Sequence, residues 1–199
     1  IMGPTAAGKT DLAIALAKKL DGELVSVDSA LVYRGLKIGA ARPEYPHHLV
    51  AIREPDNPYS AAQFAIDARR AIAEIRGRKH TPILVGGTQL YFRALLDGLA
   101  DIPASDPSIR RDIESEADRY GWPVLHRQLQ SVDPVLANRL HPNHSQRIGR
   151  GLEIWRMTGK PLSQWQAEGV NRGFEETTVA MVVCPADRAV LHQRIARRF

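Results

Sequence analysis

Cysteine is nearly absent from this chain of 199 residues, in which Cys184 is the only one. A single thiol excludes an intrachain disulfide framework and a thiolate metal cluster, and it favours a reducing, cytoplasmic location. The chain also lacks any apolar run near the roughly 18 residues that a membrane helix needs, so we expect no membrane partner. Its first residues lack the charged leader and apolar stretch of a signal peptide, and repeats and low-complexity tracts are missing as well.

What the chain does have is the composition of a globular protein, with 44% hydrophobic and 25% charged residues. Its length allows one ordinary domain, or one domain that carries a sizeable insertion. The formal net charge of +5 indicates either a polyanionic partner or a basic, well-solvated surface, and charge alone leaves both open.

The most informative motif stands at the start of the chain, where Gly3 to Thr10 fit G-x-x-x-x-G-K-[ST], the loop that wraps oligophosphates. Glycines let successive backbone N–H groups turn towards one anion, and the amphipathic helix that follows adds its positive end. Lys9 would supply a point charge, and Thr10 a hydroxyl for a phosphate-bound Mg²⁺. We therefore expect a diphosphate or polyphosphate to bind at Gly3, Pro4, Thr5, Ala6, Ala7, Gly8, Lys9 and Thr10.

Strand and helix patterns alternate in the first half of the chain, with a capping box at Ser60–Gln63, whereas residues 100–168 carry only helical signals. The predicted strands are residues 23–28, 48–52, 82–85 and 177–184, and the last predicted helix is 189–199. The chain is expected to begin inside its first strand, because only Ile1 and Met2 precede the phosphate loop. We predict an α/β fold of the P-loop NTPase and kinase-like type, with a parallel sheet covered by helices. This core would comprise 1–99 and 169–199, with an all-helical insertion at 100–168.

Polar residues follow two of the predicted strands. Asp28 ends the first of them, where a carboxylate beside a phosphate site would hold Mg²⁺ through water or act as a general base. A residue that caps the following helix is an equal alternative. Gly86-Gly87-Thr88 would let a substrate approach the backbone closely, although a tight strand-to-helix turn is slightly favoured.

Arginines are frequent in the helical region and in the last helix. Arg147 and Arg150, three residues apart, share a helix face that suits phosphate contacts, but a solvated charged face explains either of them as well. An arginine of the last helix, where Arg194, Arg197 and Arg198 lie, would suit a leaving diphosphate, or it would simply complement the helix dipole. His141 and His144 have no third metal ligand nearby and are interpreted as turn residues.

Four segments of the chain together resemble the tRNA dimethylallyltransferase family, and the similarity covers nearly the whole sequence. They are the phosphate loop; VSVDSALVYRG at 25–35 with GAARP at 39–43; LVGGTQLYFRALLDG at 84–98; and HPN at 141–143 with QRI at 146–148. The segments around Asp28 and Gly86 are far more specific than the phosphate loop, which many kinases share.

The resemblance implies an enzyme that moves a dimethylallyl group from its diphosphate to N6 of an adenosine beside the anticodon of tRNA, releasing diphosphate. The expected partners are dimethylallyl diphosphate and the tRNA anticodon stem-loop, the expected cofactor is Mg²⁺ held through Thr10, and the protein is expected to act as a monomer. By resemblance, Asp28 accepts the N6 proton, while Lys9, Thr10 and Arg198 serve the diphosphate. The residues expected to contact tRNA are Asp28, Ser29, Ala30, Leu31, Thr88, Arg110, Gln146, Arg147, Ile148, Gly149 and Arg150.

Some features depart from the family pattern. The segment between Pro43 and His47 is shorter than in the family, and the C-terminal helices that complete the family's tRNA-binding surface are not in the sequence, so we expect a fragment. Gly149 and Gly151 interrupt a predicted helix, each at a cost of about 1 kcal/mol relative to alanine.

Three alternative functions stay open. A small-molecule or nucleoside kinase is the first, because the phosphate loop alone would serve ATP equally well. A non-catalytic RNA-binding module is the second, although the intact Lys9, Thr10 and Asp28 argue against it. A prenyltransferase acting on free adenylate is the third, and the basic helical region favours tRNA instead.

Overall fold

A computed structural model of the chain describes residues 1–36, 44–168, 173–174 and 176–198. The described residues form two compact units, one from Ile1–Gly98 with Arg172–Phe199 and the other from Leu99–Asn171. The first unit combines strands with helices, whereas the second contains helices alone among its described residues. In the described part of the chain, no helix has both the length and the apolar character needed to span a membrane.

Strands and helices of the described chain follow one another as the sequence patterns indicate. The strands are β1 (Gly22–Val27), β2 (His47–His48) and β3 (Thr81–Gly86). The helices are α1 (Lys9–Lys19), α2 (Ala61–Gly77), α3 (Gln89–Leu96), α4 (Pro107–Tyr120), α5 (Trp122–Val132), α6 (Pro134–Ala137), α7 (Ser145–Thr158), α8 (Leu162–Ala167) and α9 (Arg188–Arg198).

The sheet of the first unit is parallel, with β1 between β2 and β3. On the far side of β3, Met2 bridges Gly86 in parallel, and Val182 bridges Met2 in turn. A side chain on Gly86 would overlap the main chain of Val27, so glycine permits the close approach of β1 and β3 at their carboxyl ends. A parallel sheet accompanied by helices confirms the predicted α/β fold.

Both faces of this sheet are buried, as side-chain alternation along a covered strand requires. Leu24 packs in a cluster with Ala13 and Ala17 of α1. Val27 packs on the other face, where α2 and α3 supply Phe64 and Leu95. Packing against α1 on one face and against α2 and α3 on the other therefore holds the carboxyl end of β1 in place.

Two predicted strands are shorter than the sequence suggested. The run at 48–52 yields only β2, because Leu49 and Ala51 adopt φ values of 62° and 54°, which no extended strand contains. The segment 177–184 makes a single bridge at Val182 among its described residues. The predicted capping box of α2 is confirmed, since Ser60 Oγ accepts from Gln63 N and Gln63 Oε1 accepts from Ser60 N.

The second unit packs α4, α5 and α7 around one apolar core. Asp106 caps α4 by accepting hydrogen bonds from the Ser108 and Ile109 N–H groups, and proline follows it in the first turn. A Cβ at Gly151 would lie 2.8 Å from side-chain carbons of Leu129 and of Leu136. The glycine that weakens α7 therefore also lets it pack closely on its neighbours.

Candidate active site

Three loops of the first unit meet at the carboxyl edge of its sheet. Asp28 follows β1, Gly87 and Thr88 follow β3, and the phosphate loop follows Met2, which pairs with the end of β3. Thr88 N donates to Val27 O at 3.2 Å, and a Cβ at Gly87 would lie 3.5 Å from Gly3 O. In open parallel sheets ligands bind at the carboxyl edge. The phosphate loop, Asp28 and Thr88, which the sequence offered as separate motifs, all lie at this edge.

Ala6 and Gly8 of the phosphate loop have left-handed backbone. Gly8 precedes α1 with a left-handed φ of 93°, and Ala6 takes a φ of 62°. No side chain of the described residues caps the first turn of α1, so its N–H groups are available to an anion. Lys9 Nζ donates to Pro4 O at 2.6 Å and so lies along the loop, while Thr10 is exposed in the first turn.

Asp28 is half-buried and uses only one of its carboxylate oxygens. Oδ1 accepts from Ala30 N at 2.8 Å and from Leu31 N at 3.2 Å, which orders a turn and not the helix considered above. No hydrogen bond from the described residues reaches Oδ2. Asp28 Oδ1 thus caps a turn and not a helix, and the role of Oδ2 in chemistry stays a prediction.

Thr88 ties the same turn to the end of β3. Its Oγ1 accepts from Ser29 N at 3.0 Å and donates to Ser29 Oγ at 3.4 Å. Ser29 and Ala30 themselves are exposed, and Leu31 is partly so. The Gly86-Gly87-Thr88 segment therefore forms a tight turn, the favoured alternative, and that turn supports the Asp28 loop.

In the helical unit, several residues expected to contact tRNA line one cavity. It has a volume of about 450 Å³, and Arg110, Gln146, Gly149 and Arg150 line it together with Trp122. Gln146 and Arg147 are exposed, and among the described residues neither side chain has a hydrogen bond or ion pair. Ile148, in contrast, is fully buried, so its side chain belongs to the core of the unit.

Arg110 and Arg150 are already paired. Arg110 Nε reaches Glu114 Oε1 at 3.2 Å, an exposed contact of the kind that contributes little to stability. Arg150 donates to the Pro103 carbonyl and, at 2.8 Å, to Glu153 Oε2, whose side chain is only 3% exposed. Sequence reasoning missed Glu153, although its place three residues after Arg150 was a usable signal.

Glu153 binds the segment that immediately precedes α4. Its Oε1 accepts from Ser105 Oγ at 2.6 Å and from Asp106 N at 2.8 Å. Burial alone raises the pKa of a carboxyl group, but these hydrogen bonds, with the one from Arg150, hold the pKa of Glu153 below its ordinary value. A charged, fully partnered carboxylate therefore occupies the interior of this unit.

The remaining candidates are less informative. Arg198 ends α9, and its side chain lies outside the described residues. His141 and His144 are exposed at the turn before α7, as interpreted from the sequence. Among the described residues, no group of three or more His, Cys, Asp or Glu side chains could hold a metal ion.

Sequence reasoning also missed a tyrosine cluster behind the Asp28 turn. Tyr33, Tyr59 and Tyr91 come from three separate segments, and hydrogen bonds join them. Tyr33 and Tyr91 lie within the motifs quoted above, but three tyrosines scattered over 59 residues give no periodic signal in the sequence.

Comparison with known families assigns the whole chain. The model of the IPP transferase family matches residues 31–199, and an isopentenyl transferase model matches residues 1–53. Two curated relatives are named tRNA dimethylallyltransferase. That of Stenotrophomonas maltophilia is 54% identical over 205 residues, covering 100% of this chain and 65% of the relative. That of Halorhodospira halophila is 55% identical over 205 residues, covering 100% of this chain and 66% of the relative.

Solved structures agree with this assignment. The full-length tRNA isopentenylpyrophosphate transferase of Bacillus halodurans is 38% identical with a TM-score of 0.57, over 99% of this chain and 62% of that one. A eukaryotic dimethylallyltransferase solved while acting on tRNA is 29% identical with a TM-score of 0.79, over 99% of this chain and 50% of that one. Since the first family model alone matches most of the chain, the protein belongs to the IPP transferase family.

Proposed function

We propose that the protein transfers a dimethylallyl group from dimethylallyl diphosphate to N6 of an adenosine beside the anticodon in tRNA, releasing diphosphate. The proposal draws on relatives named tRNA dimethylallyltransferase. The observation that carries it is the position of Asp28, which lies at the same sheet edge as the phosphate loop with Oδ2 unengaged among the described hydrogen bonds. A kinase would use the same loop, but the relatives favour the prenyl transfer.

The phosphate loop acts on the leaving group. As the bond between C1 of the prenyl group and the diphosphate oxygen breaks, negative charge grows on the diphosphate. The N–H groups of the loop and of the first turn of α1, together with Lys9, stabilise this charge, and Arg198 contributes by resemblance.

The cofactor is Mg²⁺, and the residues present fit it only in part. Thr10 offers an exposed hydroxyl in the first turn of α1, whereas the described residues offer no acidic cluster that would hold the ion alone. Thr10, the diphosphate oxygens and water would therefore complete its coordination. Bound there, the ion would neutralise charge on the departing diphosphate.

Asp28 acts on the acceptor. N6 of adenine is a weak nucleophile, so its placement matters as much as the basicity of the group that receives its proton. While N6 bonds to C1 of the prenyl group, its proton passes to Asp28 Oδ2. Because Oδ1 is held by two N–H groups of the turn, the carboxylate presents Oδ2 in a fixed direction.

The tRNA reaches this carboxylate with an unstacked base, as enzymes that modify bases require. Ser29, Ala30, Leu31 and Thr88 surround Asp28 and would contact that base and its neighbours. Gln146 and Arg147 provide uncommitted exposed groups on the helical unit for further RNA contacts. Arg110, Gly149 and Arg150 line the cavity beside them, and Ile148 contributes only through the helix it supports. The protein acts as a monomer in the cytoplasm.

The test uses the full chain with labelled dimethylallyl diphosphate, Mg²⁺ and an anticodon stem-loop that carries adenosine or guanosine at the acceptor position. Label is expected in the adenosine RNA only, because guanosine has no N6 amine. An assay for transfer of the γ-phosphate of ATP to small acceptors runs in parallel. Phosphoryl transfer without any labelled RNA would overturn the proposal in favour of a kinase.

A further inference from the structure

Hydrogen bonds through Tyr33, Tyr59 and Tyr91 form a closed path that begins and ends at the Asp28 turn. Asp28 Oδ1 accepts from Ala30 N, and Ala30 O accepts from Tyr33 N at 3.1 Å. Tyr33 Oη then accepts from Tyr59 N at 3.0 Å. The first half of this path thus leads from the carboxylate to the main chain just before α2.

The second half of the path returns from Tyr59 to the residue next to Asp28. Tyr91 Oη donates to Tyr59 O at 3.1 Å, and Tyr91 N donates to Thr88 O at 3.0 Å. Thr88 Oγ1 accepts from Ser29 N at 3.0 Å. We call this closed path the tyrosine circuit; its members are Asp28, Ser29, Ala30, Tyr33, Thr88 and Tyr91, together with the main chain, but not the side chain, of Tyr59.

Two tyrosine side chains at the circuit are buried, those of Tyr59 and Tyr91. Tyr91 is 5% exposed and Tyr59 8% exposed, and the Tyr91 ring stacks on Phe64 with ring centroids 4.5 Å apart. Burial is the main cause that raises the pKa of Tyr91, and the neighbouring Tyr33 and Asp28 add to it. The Tyr91 hydroxyl therefore stays protonated and keeps donating its hydrogen bond.

We propose that Tyr33 and Tyr91 are positioning residues that fix the direction of Asp28 through the tyrosine circuit. This inference rests on the proposed function, in which Asp28 receives the N6 proton. Phenylalanine would fill the same core space as either tyrosine, so apolar packing does not account for the hydroxyl groups. The Tyr33 hydroxyl accepts from Tyr59 N, and the Tyr91 hydroxyl donates to Tyr59 O. Through the main chains of Tyr33 and Tyr91, both hydrogen bonds connect to the turn that contains Asp28.

The test compares Tyr91→Phe and Tyr33→Phe with Tyr59→Phe, since the circuit uses only the main chain of Tyr59. The Tyr59 hydroxyl donates to Asp67 Oδ2 at 2.9 Å, outside the circuit, so its loss controls for a missing buried hydroxyl. We expect Tyr91→Phe and Tyr33→Phe to lower kcat for transfer roughly tenfold, with the KM for dimethylallyl diphosphate unchanged. Tyr59→Phe should keep the wild-type kcat.

Two further measurements separate positioning from general loosening of the fold. In an Asp28→Asn background, Tyr91→Phe should not lower the remaining rate further, because there is no base left to position. Amide hydrogen exchange at Ala30 and Leu31 should become roughly two- to tenfold faster in Tyr91→Phe and not in Tyr59→Phe. If the wild type is active and Tyr91→Phe keeps the full kcat, the role of the tyrosine circuit is overturned while the proposed function stands. Unchanged amide exchange at Ala30 and Leu31 in Tyr91→Phe would overturn it in the same way. A wild type that transfers no label would overturn the proposed function and the role of Asp28 with it.

Discussion

Glu23 near the amino end of β1 and Asp28 just after its carboxyl end differ in how many hydrogen bonds their carboxylate oxygens accept. At the amino end, Glu23 takes hydrogen bonds on both oxygens, from Arg78 Nε and Nη2, His48 and His80. Those from Arg78 and His48 contribute most to holding its pKa at about 2, below the ordinary 4.5. At the carboxyl end, Asp28 accepts two N–H groups on Oδ1 alone among the described contacts.

Under the proposed function, the carboxylate at one end of β1 serves stability and the carboxylate after its other end serves chemistry. A carboxylate with every lone pair partnered cannot accept a proton without losing hydrogen bonds, so Glu23 is suited to joining three segments of the chain. A carboxylate with one held oxygen and one open oxygen has a fixed direction and a vacant acceptor, so Asp28 is suited to taking a proton. The arginines of the helical unit show the same contrast, with Arg150 partnered and Arg147 open.

The strongest test of this contrast is Asp28→Asn, which keeps the Oδ1 acceptor of the turn and removes the base. We expect transfer to fall about 10²- to 10⁴-fold, the range that general bases contribute, while the melting temperature and the affinity for dimethylallyl diphosphate stay near wild type. Single-turnover transfer of label and thermal unfolding measure the two effects. Near-wild-type transfer would remove Asp28 as the base and leave it as a turn-capping residue.

The sequence predicted the elements that depend on local patterns. The helix that follows the phosphate loop and the capping box at Ser60 depend on residues within a few positions of one another, and both are present. Asp28 and Thr88 also follow strands, as the sequence patterns predicted, whereas their link through Ser29 appears only in the structure.

What the sequence could not predict depends on contacts between distant segments. The tyrosine circuit joins Tyr33, Tyr59 and Tyr91, and the Glu23 cluster joins three strand ends, with no spacing rule to reveal either. The run at 48–52 has the apolar residues of a strand, but left-handed residues at Leu49 and Ala51 end it early. Local propensity gave way there to the main-chain hydrogen bonds of Ala51 and Ile52 with Leu31 and Val32.

Arg150→Ala tests the partnered side of the contrast in the helical unit. It removes one donor from the buried Glu153 carboxylate and also a donor to the Pro103 carbonyl, so we expect a loss of roughly 1–3 kcal/mol in the free energy of unfolding. Urea denaturation measures the loss, and Arg110→Ala, which removes only an exposed pair with Glu114, is the control. Equal stability of the two variants would mean that the Arg150 contacts contribute nothing beyond a surface pair.

Glu23→Gln tests the fully hydrogen-bonded carboxylate of β1, and its effect on stability should depend on pH. Because folding lowers the pKa of Glu23 from 4.5 to about 2, its contribution to stability is present above pH 4.5 and is lost as the pH falls towards 2. The side chain is 24% exposed, so we expect a loss of only about 1 kcal/mol near neutral pH, or a few degrees in the melting temperature. The gap between wild type and variant should close across that pH window. A gap that stays constant through it would assign the effect to packing and not to charge.

The smallest effect is expected at Arg147, whose exposed guanidinium has no partner among the described residues, whereas Arg150 on the same helix is paired. If it contacts an RNA phosphate, Arg147→Ala should reduce the slope of log affinity against log salt by about one, while leaving affinity for dimethylallyl diphosphate and stability unchanged. Arg156 is the matched control on the same helix, because its guanidinium is already neutralised by Glu116 at 2.8 and 2.9 Å. Arg156→Ala should therefore leave the slope unchanged. If both variants give the wild-type slope, Arg147 belongs to a solvated face; if both lower it equally, an intramolecular partner does not decide which arginines meet RNA.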